Sequence, residues 1–492
     1  MVAKSPAAPA ERLPLRTKLA FGIGSAAESL ALYSVSSFAL LFYNQVLGVP
    51  AGWVTLALSA SLFFDALSDP VVGSLSDRTR SKWGRRHVYM YFAPLPVALC
   101  LFAIFAPPKG LGETGLAIWL AGAVILLRQA MTFFHTPHLA LGGELSPHYT
   151  ERSKVMAYNS FFYWAGGALT TFLALRIFFK ATPEFPRGVL NPDPYPSFAF
   201  AISAAALVIL FASAWFTKDR IPLLPKPAAD HPGFSPREFI RDVWKALRNI
   251  NYVWLLIGYF FLMMMIGLRE GMRLFVYTFY WGLNSNEISL FILGSFVGYA
   301  TAFLIAPRLH GKIDKKRTII WAVAAYTIVP PIPLFLGIAG ILTPETPGLL
   351  WILIAFAAVQ YGAISVLQIS TTSALADIAD ENELRFGHRQ EGVLYSTRAL
   401  AAKIDQAVGT ALVGVVLSVI AFPEKAKPGS IPPETLTNLA WADSAVAMIP
   451  GFFAIIFYAK YNISRQSYEA TRAALAARRE GGGHVAATAP AE

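Results

Sequence analysis

The feature that most constrains this chain is a recurring apolar run long enough to cross a bilayer. About 20 predominantly apolar residues span the hydrocarbon core as one helix. Runs of that length occur at 19–47, 51–75, 88–107, 115–143, 155–180, 197–216, 252–280, 287–308, 318–341, 348–378, 391–421 and 441–461. They are continuous rather than alternating, so they read as helices and not as barrel strands. Pro137, Pro330, Pro331 and Pro333 lie inside these runs. They do not break the reading, because membrane helices tolerate proline. The expected fold class is all-α, a polytopic membrane protein with twelve transmembrane helices.

Composition closes off the other classes. The chain is 55% hydrophobic and 14% charged, where soluble domains carry about 25% charged residues. The same balance excludes disorder, which needs low hydrophobicity and high charge. A single cysteine, Cys100, leaves neither a disulfide scaffold nor a cysteine-built zinc site. A net charge of +11 would suggest nucleic acid in a soluble protein. Here the placement of the charges matters more, and no nucleic-acid partner is expected. With the N-terminus assigned to the cytoplasm, cytoplasmic segments hold 30 Lys and Arg, and the opposite loops hold only Lys109, Lys180, Arg187, Lys425 and Lys427. That is the positive-inside pattern with both termini inside, as for a bacterial inner-membrane protein. Contact with anionic membrane lipids is a secondary use of the same charges.

The longest polar interruption, 217–251, divides the spans six and six. The expected organisation is a cytoplasmic tail over 1–18, a six-helix bundle over 19–216, a central loop over 217–251, a second six-helix bundle over 252–461 and a cytoplasmic tail over 462–492. The first 18 residues lack a signal-peptide layout. Residues 462–480 read as an amphipathic surface helix, and 481–492 as a disordered end. Two echoes indicate duplication. Asp77 and Asp314, each in the hairpin after the second span of its half, are 237 positions apart. Val155 and Val393, each opening a fifth span, are 238 apart. Parallel repeats in a twelve-span chain are the pattern of major facilitators, with the substrate site between the halves.

Ionisable residues inside spans are costly and ask for a reason. Span 2 carries Asp65 and Asp69, four apart and so on one helix face. Two such carboxylates in low dielectric need a metal cation or a lysine between them, or a proton on one of them. A helix-end bridge to Arg78 or Arg80 is the local alternative for Asp69. Span 11 carries Lys403, whose partner would be Asp65 or Asp69, or locally Asp405. Span 1 carries Glu28. Span 7 carries Arg269, Glu270 and Arg273, where Glu270 could simply pair with Arg273. On span 4, Arg128, Thr132 and His135 share related faces. His135 and His138, three apart without a third ligand, fit polar cavity lining better than a metal site.

The run Asp65-Ala66-Leu67-Ser68-Asp69-Pro70, then Gly73, then Asp77-Arg78-Thr79-Arg80-Ser81-Lys82-Trp83-Gly84-Arg85-Arg86, resembles the glycoside–pentoside–hexuronide:cation symporters, the melibiose-permease-like major facilitators. Ala376-Asp377-Ile378-Ala379-Asp380, continuing to Tyr395, Ser396 and Lys403, is similar in register. The resemblance implies secondary active transport, not an enzyme. Its cation-site aspartates fall on Asp65 and Asp69, its cation-site threonine on Thr132 and its span 11 lysine on Lys403. The sugar-contact positions depart from the family. Its span 1 aspartate falls on Ser29, beside Glu28. Its span 4 aspartate falls on His135, and its span 5 arginine on Ser160.

These residues lead to one expectation. The chain is a cation-coupled symporter in which sodium at Asp65 and Asp69, or a proton there, balances the charge with Thr132 and Lys403. No cofactor beyond the coupling ion is expected. The substrate, a sugar, glycoside or hexuronide, would meet Glu28, Ser29, His135, Arg269, Glu270 and Arg273. An amphipathic lipid-like substrate is the alternative. Asp77, Arg78, Arg85, Asp314 and Arg317, with Glu144, Glu151, Asp377 and Asp380, would form a cytoplasmic gate. A monomer is expected. The rivals are a membrane enzyme, since His310 and Asp314 carry an acyltransferase-like His-x-x-x-Asp spacing, and a sensor without flux.

Overall fold

The computed structural model describes residues 13–146, 149–224, 235–386, 391–427, 429–463 and 465–480. The expectations for the first twelve residues, for 481–492 and for the middle of the central loop lie outside the described residues. Among those described, eleven helices are long and apolar enough to cross a membrane. A further helix, α1 (Leu15–Ser34), precedes them and passes into two π-helical segments, Val35–Ala39 and Phe42–Leu47. Gly48 ends this first span at φ 83°, a left-handed conformation that suits glycine.

The eleven are α2 (Ala51–Arg78), α3 (His87–Phe105), α4 (Glu113–Glu144), α5 (Lys154–Phe178), α6 (Pro194–Leu223), α7 (Ile250–Tyr280), α8 (Ser285–Ala306), α9 (Lys315–Ile338), α10 (Leu349–Arg385), α11 (Leu394–Val419) and α12 (Pro433–Lys460). Their ends follow ordinary capping chemistry. Asn249 accepts from the backbone N–H of Asn251 and Tyr252 at the start of α7. Asn284 and Glu287 make a reciprocal capping box at the start of α8. Proline opens α6 and α12, where its missing N–H costs nothing.

Several helices run further than hydropathy reads. α10 continues through Asp377, Asp380 and Glu381, and α12 begins at Pro433, ahead of position 441. A helix need not stop where its residues become polar, so apolar length underestimates it. The prolines divide by context. Pro137 sits within continuous helix, whereas Pro330 and Pro331 fall in a turn between Lys315–Ile328 and Ile332–Ile338. One proline removes one N–H; two in succession remove adjacent ladder bonds. The amphipathic helix expected over 462–480 is present as Arg465–Glu480.

The chain divides into two compact units. One holds residues up to Val49 and Ala60–Phe234; the other holds Pro50–Ser59 and everything from Ser235. In the first, α1 packs on α5 and α6, and α3 packs on α4 and α6. In the second, α7 packs on α11 and α12, and α9 packs on α10 and α12. These four pairings of the first unit recur six helices later in the second.

Lipid tails are as apolar as leucine, so these contacts rest on close packing and not on removal of apolar surface from water. A Cβ on Gly166 of α5 would sit 2.6 Å from the backbone carbonyl of Ala26 on α1. Gly267 of α7 and Gly409 of α11 meet backbone to backbone in the other unit. Aromatic rings fill the wider gaps: Phe42, Phe105, Phe179, Tyr195 and Phe198 interlock in the first unit.

Candidate functional site: a charge cluster in each unit

Asp65 is 7% exposed on α2. Two residues of α4, one helical turn apart, hold its carboxylate. Thr132 donates its hydroxyl to Oδ1 at 2.6 Å, and Arg128 Nη1 lies 3.4 Å from Oδ2. The pair is well shielded, with the Arg128 and Asp65 side chains 15% and 10% exposed. A carboxylate and a guanidinium this far from water need each other, because either alone would carry an uncompensated charge. Asp69 lies one turn further along α2 and is half-buried. Pro70 follows it inside the helix and removes the N–H that would bond the carbonyl of Ala66.

The same unit places Glu28 of α1 against His135 of α4, with Oε1 2.8 Å from Nδ1. Tyr163 of α5 faces Glu28, Arg128 and Asp65. The structure thus brings Glu28, Asp65, Thr132 and His135 into one cluster and adds Arg128 and Tyr163 to them. Ser29 is fully buried, beside the point where Gly167 lets α5 approach α1. His138 stacks on Phe21 at 4.2 Å and bonds its carbonyl at 2.9 Å, which is a packing arrangement. Among the described residues, no group of three or more His, Cys, Asp or Glu is arranged to hold a metal ion.

In the second unit, Arg269, Glu270 and Arg273 of α7 line a cavity of about 60 Å³ with Tyr277, Gln360 and Asp443. A water takes roughly 30 Å³ of liquid and drug-sized pockets run to about 300 Å³ or more, so this cavity suits water and not a sugar ring. Arg273 is held by Glu270 at 2.7 Å and by the Tyr361 hydroxyl at 2.9 Å. Arg269 is 5% exposed and donates to the Thr327 carbonyl at 3.2 Å. Asp443 sits on a π-helical turn of α12, and its Oδ1 has no hydrogen-bond partner. Lys403 is half-buried on α11. Asp405 is buried two residues on, and its Oδ2 has no hydrogen-bond partner.

Of the expected gate residues, Asp77, Arg85, Glu144, Glu151 and Asp377 form ion pairs within their own unit. Glu144 at the end of α4 binds Arg85 at 2.6 Å and Arg86 at 2.8 Å. Arg86 also binds Asp77 and Ser76. In the second unit, Lys315 binds both oxygens of Asp377 at 2.8 Å, while Arg317 is exposed. Asp314 accepts from the Lys316 N–H and caps α9. Arg78 closes α2 and Asp380 is buried on α10. Glu151 is 2% exposed between Lys154 and Lys18, both at 2.7 Å. The hydrogen bonds from Lys154 and then Lys18 hold its carboxyl down at about 2.

Sequence reasoning missed Arg86, Lys315 and Lys18, three cations beside residues it did select. Arg86 and Lys315 adjoin the selected Arg85 and Asp314 in the sequence, whereas Lys18 adjoins none.

Residues 20–465 match the family described as MFS/sugar transport protein. The inner membrane symporter YicJ of Escherichia coli (strain K12) is 25% identical over 418 residues, covering 83% of each chain. The isoprimeverose transporter of Lactiplantibacillus pentosus is 23% identical over 409 residues, covering 82% of this chain and 80% of its own. A solved bacterial homologue of the human lysosomal transporter Spinster superposes with a TM-score of 0.63 at 13% identity, covering 94% of this chain and 98% of its own. That similarity is one of fold.

Proposed function

Because the chain belongs to the MFS/sugar transport protein family, as a member of the glycoside–pentoside–hexuronide:cation symporter type, we propose that it concentrates a neutral sugar or glycoside by cation-coupled symport. Its relatives are membrane transporters, so it is an integral membrane carrier and not an enzyme. This sets aside the reading of His310 and Asp314 as an acyltransferase motif. The amphipathic-substrate alternative gains no support from these relatives.

The observation that carries the coupling proposal is Asp65, a buried carboxylate in a membrane span, held by Thr132 and Arg128 of a neighbouring span. Intramembrane ionisable groups mark ion pathways in transporters. Loading one positive charge there would draw on the membrane potential, about 2.3 kcal/mol per charge at 100 mV. Asp69, Thr132 and Lys403 complete the proposed coupling set.

Glu28 and His135 are the proposed sugar contacts in the first unit. Arg269, Glu270 and Arg273 in the second are largely committed to one another, to Tyr361 and to Thr327. With Arg273 already neutralised, a free anion has less to bind, which favours a neutral sugar over a hexuronide. The skew of Lys and Arg supports an orientation with both termini in the cytoplasm of a bacterial inner membrane.

Counterflow of labelled pentosides, hexosides and uronates in proteoliposomes tests the reading. A neutral sugar should exchange, and Asp65→Ala should retain exchange down a gradient while losing accumulation against one. Accumulation that survives Asp65→Ala removes Asp65 from coupling.

A further inference from the structure

Among the described residues, two amphipathic helices lie outside the spans of the second unit, and they dispose of their apolar side chains differently. Arg465–Glu480 packs on α10, buries Leu475 and sets Tyr468 against Lys315, whose Nζ is 5.1 Å from the ring centre. Pro236–Ala246 packs on α11 and sinks Ala246 into the core of the unit. Its outward face stays uncovered by protein. Ile240 and Trp244, one turn apart, are 66% and 69% exposed. Arg237 and Arg241 are exposed as well. Together Arg237, Ile240, Arg241 and Trp244 follow i, i+3, i+4 and i+7 spacing, which is one helix face. Lys245 and Arg248 are exposed just beyond them.

The helix is held in place at its foot. Three residues, Leu247, Arg248 and Asn249, separate it from α7. Asn249 is fully buried and donates to the Glu381 carboxylate at 3.0 Å and to the Asn382 side-chain carbonyl at 2.7 Å, both at the polar end of α10. The helix therefore stands where α7 enters the bilayer, and it turns isoleucine and tryptophan outward among cations. That is the side-chain pattern of a helix seated in the headgroup layer, a depth at which tryptophan is enriched. Residues 235–249 hold Arg237, Arg241, Lys245 and Arg248 against Glu238 and Asp242, a net positive segment that anionic headgroups complement. We propose that Pro236–Ala246 docks on anionic phospholipid in the leaflet where α7 begins. Ile240 and Trp244 enter the acyl boundary, and Arg237, Arg241, Lys245 and Arg248 meet lipid phosphates. That this leaflet is the cytoplasmic one rests on the orientation proposed above.

The test uses the purified full-length protein in vesicles of phosphatidylcholine alone and in vesicles with phosphatidylglycerol mixed into both leaflets, so that docking is read independently of orientation. Ile240→Cys on a Cys100→Ser background carries a bimane label. With phosphatidylglycerol present, the label should be quenched by brominated acyl chains and shielded from aqueous iodide. Quenching by iodide and not by brominated chains overturns the proposal. Shielding from both overturns it as well, because protein, such as a second copy, would then cover the face. The wild-type Tm should rise with the phosphatidylglycerol fraction, and added salt should shrink the rise. Arg237→Gln combined with Arg248→Gln removes two of the four cations and should remove about half of the rise. An undiminished rise in that variant overturns the role given to the cations. Labelling of Ile240→Cys by an impermeant maleimide in intact cells would overturn the cytoplasmic leaflet and leave docking standing. An absence of sugar counterflow would count against the transport proposal alone.

Discussion

Two helix pairs in the first unit, α1/α5 and α2/α4, have counterparts in the second, α7/α11 and α8/α10, and the two comparisons come out differently. α1/α5 and α7/α11 are built alike. Both bring backbones together at glycine, with Gly166 against Ala26 in one and Gly267 against Gly409 in the other. α2/α4 and α8/α10 share position but not chemistry. In the first unit the seam holds Asp65, Thr132 and Arg128. In the second, a Cβ on Gly298 would lie 2.4 Å from the carbonyl of Ala358, and one on Gly294 would lie 2.9 Å from that of Ile354. The offset of 237 that relates Asp77 to Asp314 sets Ala302 opposite Asp65 and Ala306 opposite Asp69. Both alanines are buried in the core of the second unit. The two units agree in the glycine packing of α1/α5 and α7/α11 and differ at the second seam, which holds an ion pair in one unit and a close glycine approach in the other. The second copy's charges lie instead on α7 and α12, around the small cavity of Arg269, Arg273 and Asp443.

The comparison breaks most readily at Ala302. Ala302→Asp puts the first unit's carboxylate into the second without its arginine, at a cost of about 3 kcal/mol for an intramembrane aspartate. Loss of monodisperse protein or a steep fall in Tm is expected. A variant as stable as the wild type would mean that this seam is not the apolar counterpart of α2/α4. Gly298→Ala should follow at about 1–3 kcal/mol, the usual range for overpacking, because the obstacle is backbone and cannot rotate away. An unchanged Tm there would show that the α8/α10 approach is looser than the geometry implies.

The smallest effect concerns the helix ends, where the first unit ties Glu151 to Lys154 and Lys18. The folded carboxyl titrates near 2, below its ordinary 4.5. Its stabilising contribution is therefore complete above 4.5 and is lost as pH falls toward 2. Glu151→Gln should unfold with a flatter pH dependence than the wild type across that window. Parallel curves for the two proteins would remove Glu151 from the acid response.

Much of this was legible along the chain. Apolar length located the spans, and the Asp77/Asp314 and Val155/Val393 echoes marked two copies before any helix was placed. The Asp65–Asp69 spacing and the position of Thr132 pointed to one site, and the fold puts Thr132 on Asp65. Helix ends were less legible. α10 and α12 carry polar turns past their apolar stretches, and hydropathy registers membrane burial and not backbone hydrogen bonding. Pairing was the least legible. Glu144 takes Arg86 as well as Arg85, and Asp377 takes Lys315, a cation outside the expected gate set.

The sequence by itself determined the number and kind of elements, their duplication and the presence of acids where acids are expensive, because those depend on local transfer energies summed along the chain. Tertiary structure alone decided that Arg128 answers Asp65, that His135 answers Glu28 and that Arg273 is already satisfied by Glu270 and Tyr361. Those outcomes depend on how each helix is rotated about its axis and how closely it is approached, and ion pairs fall off within a few ångströms. A difference of one residue in facing changes the partner while leaving the hydropathy of the span untouched.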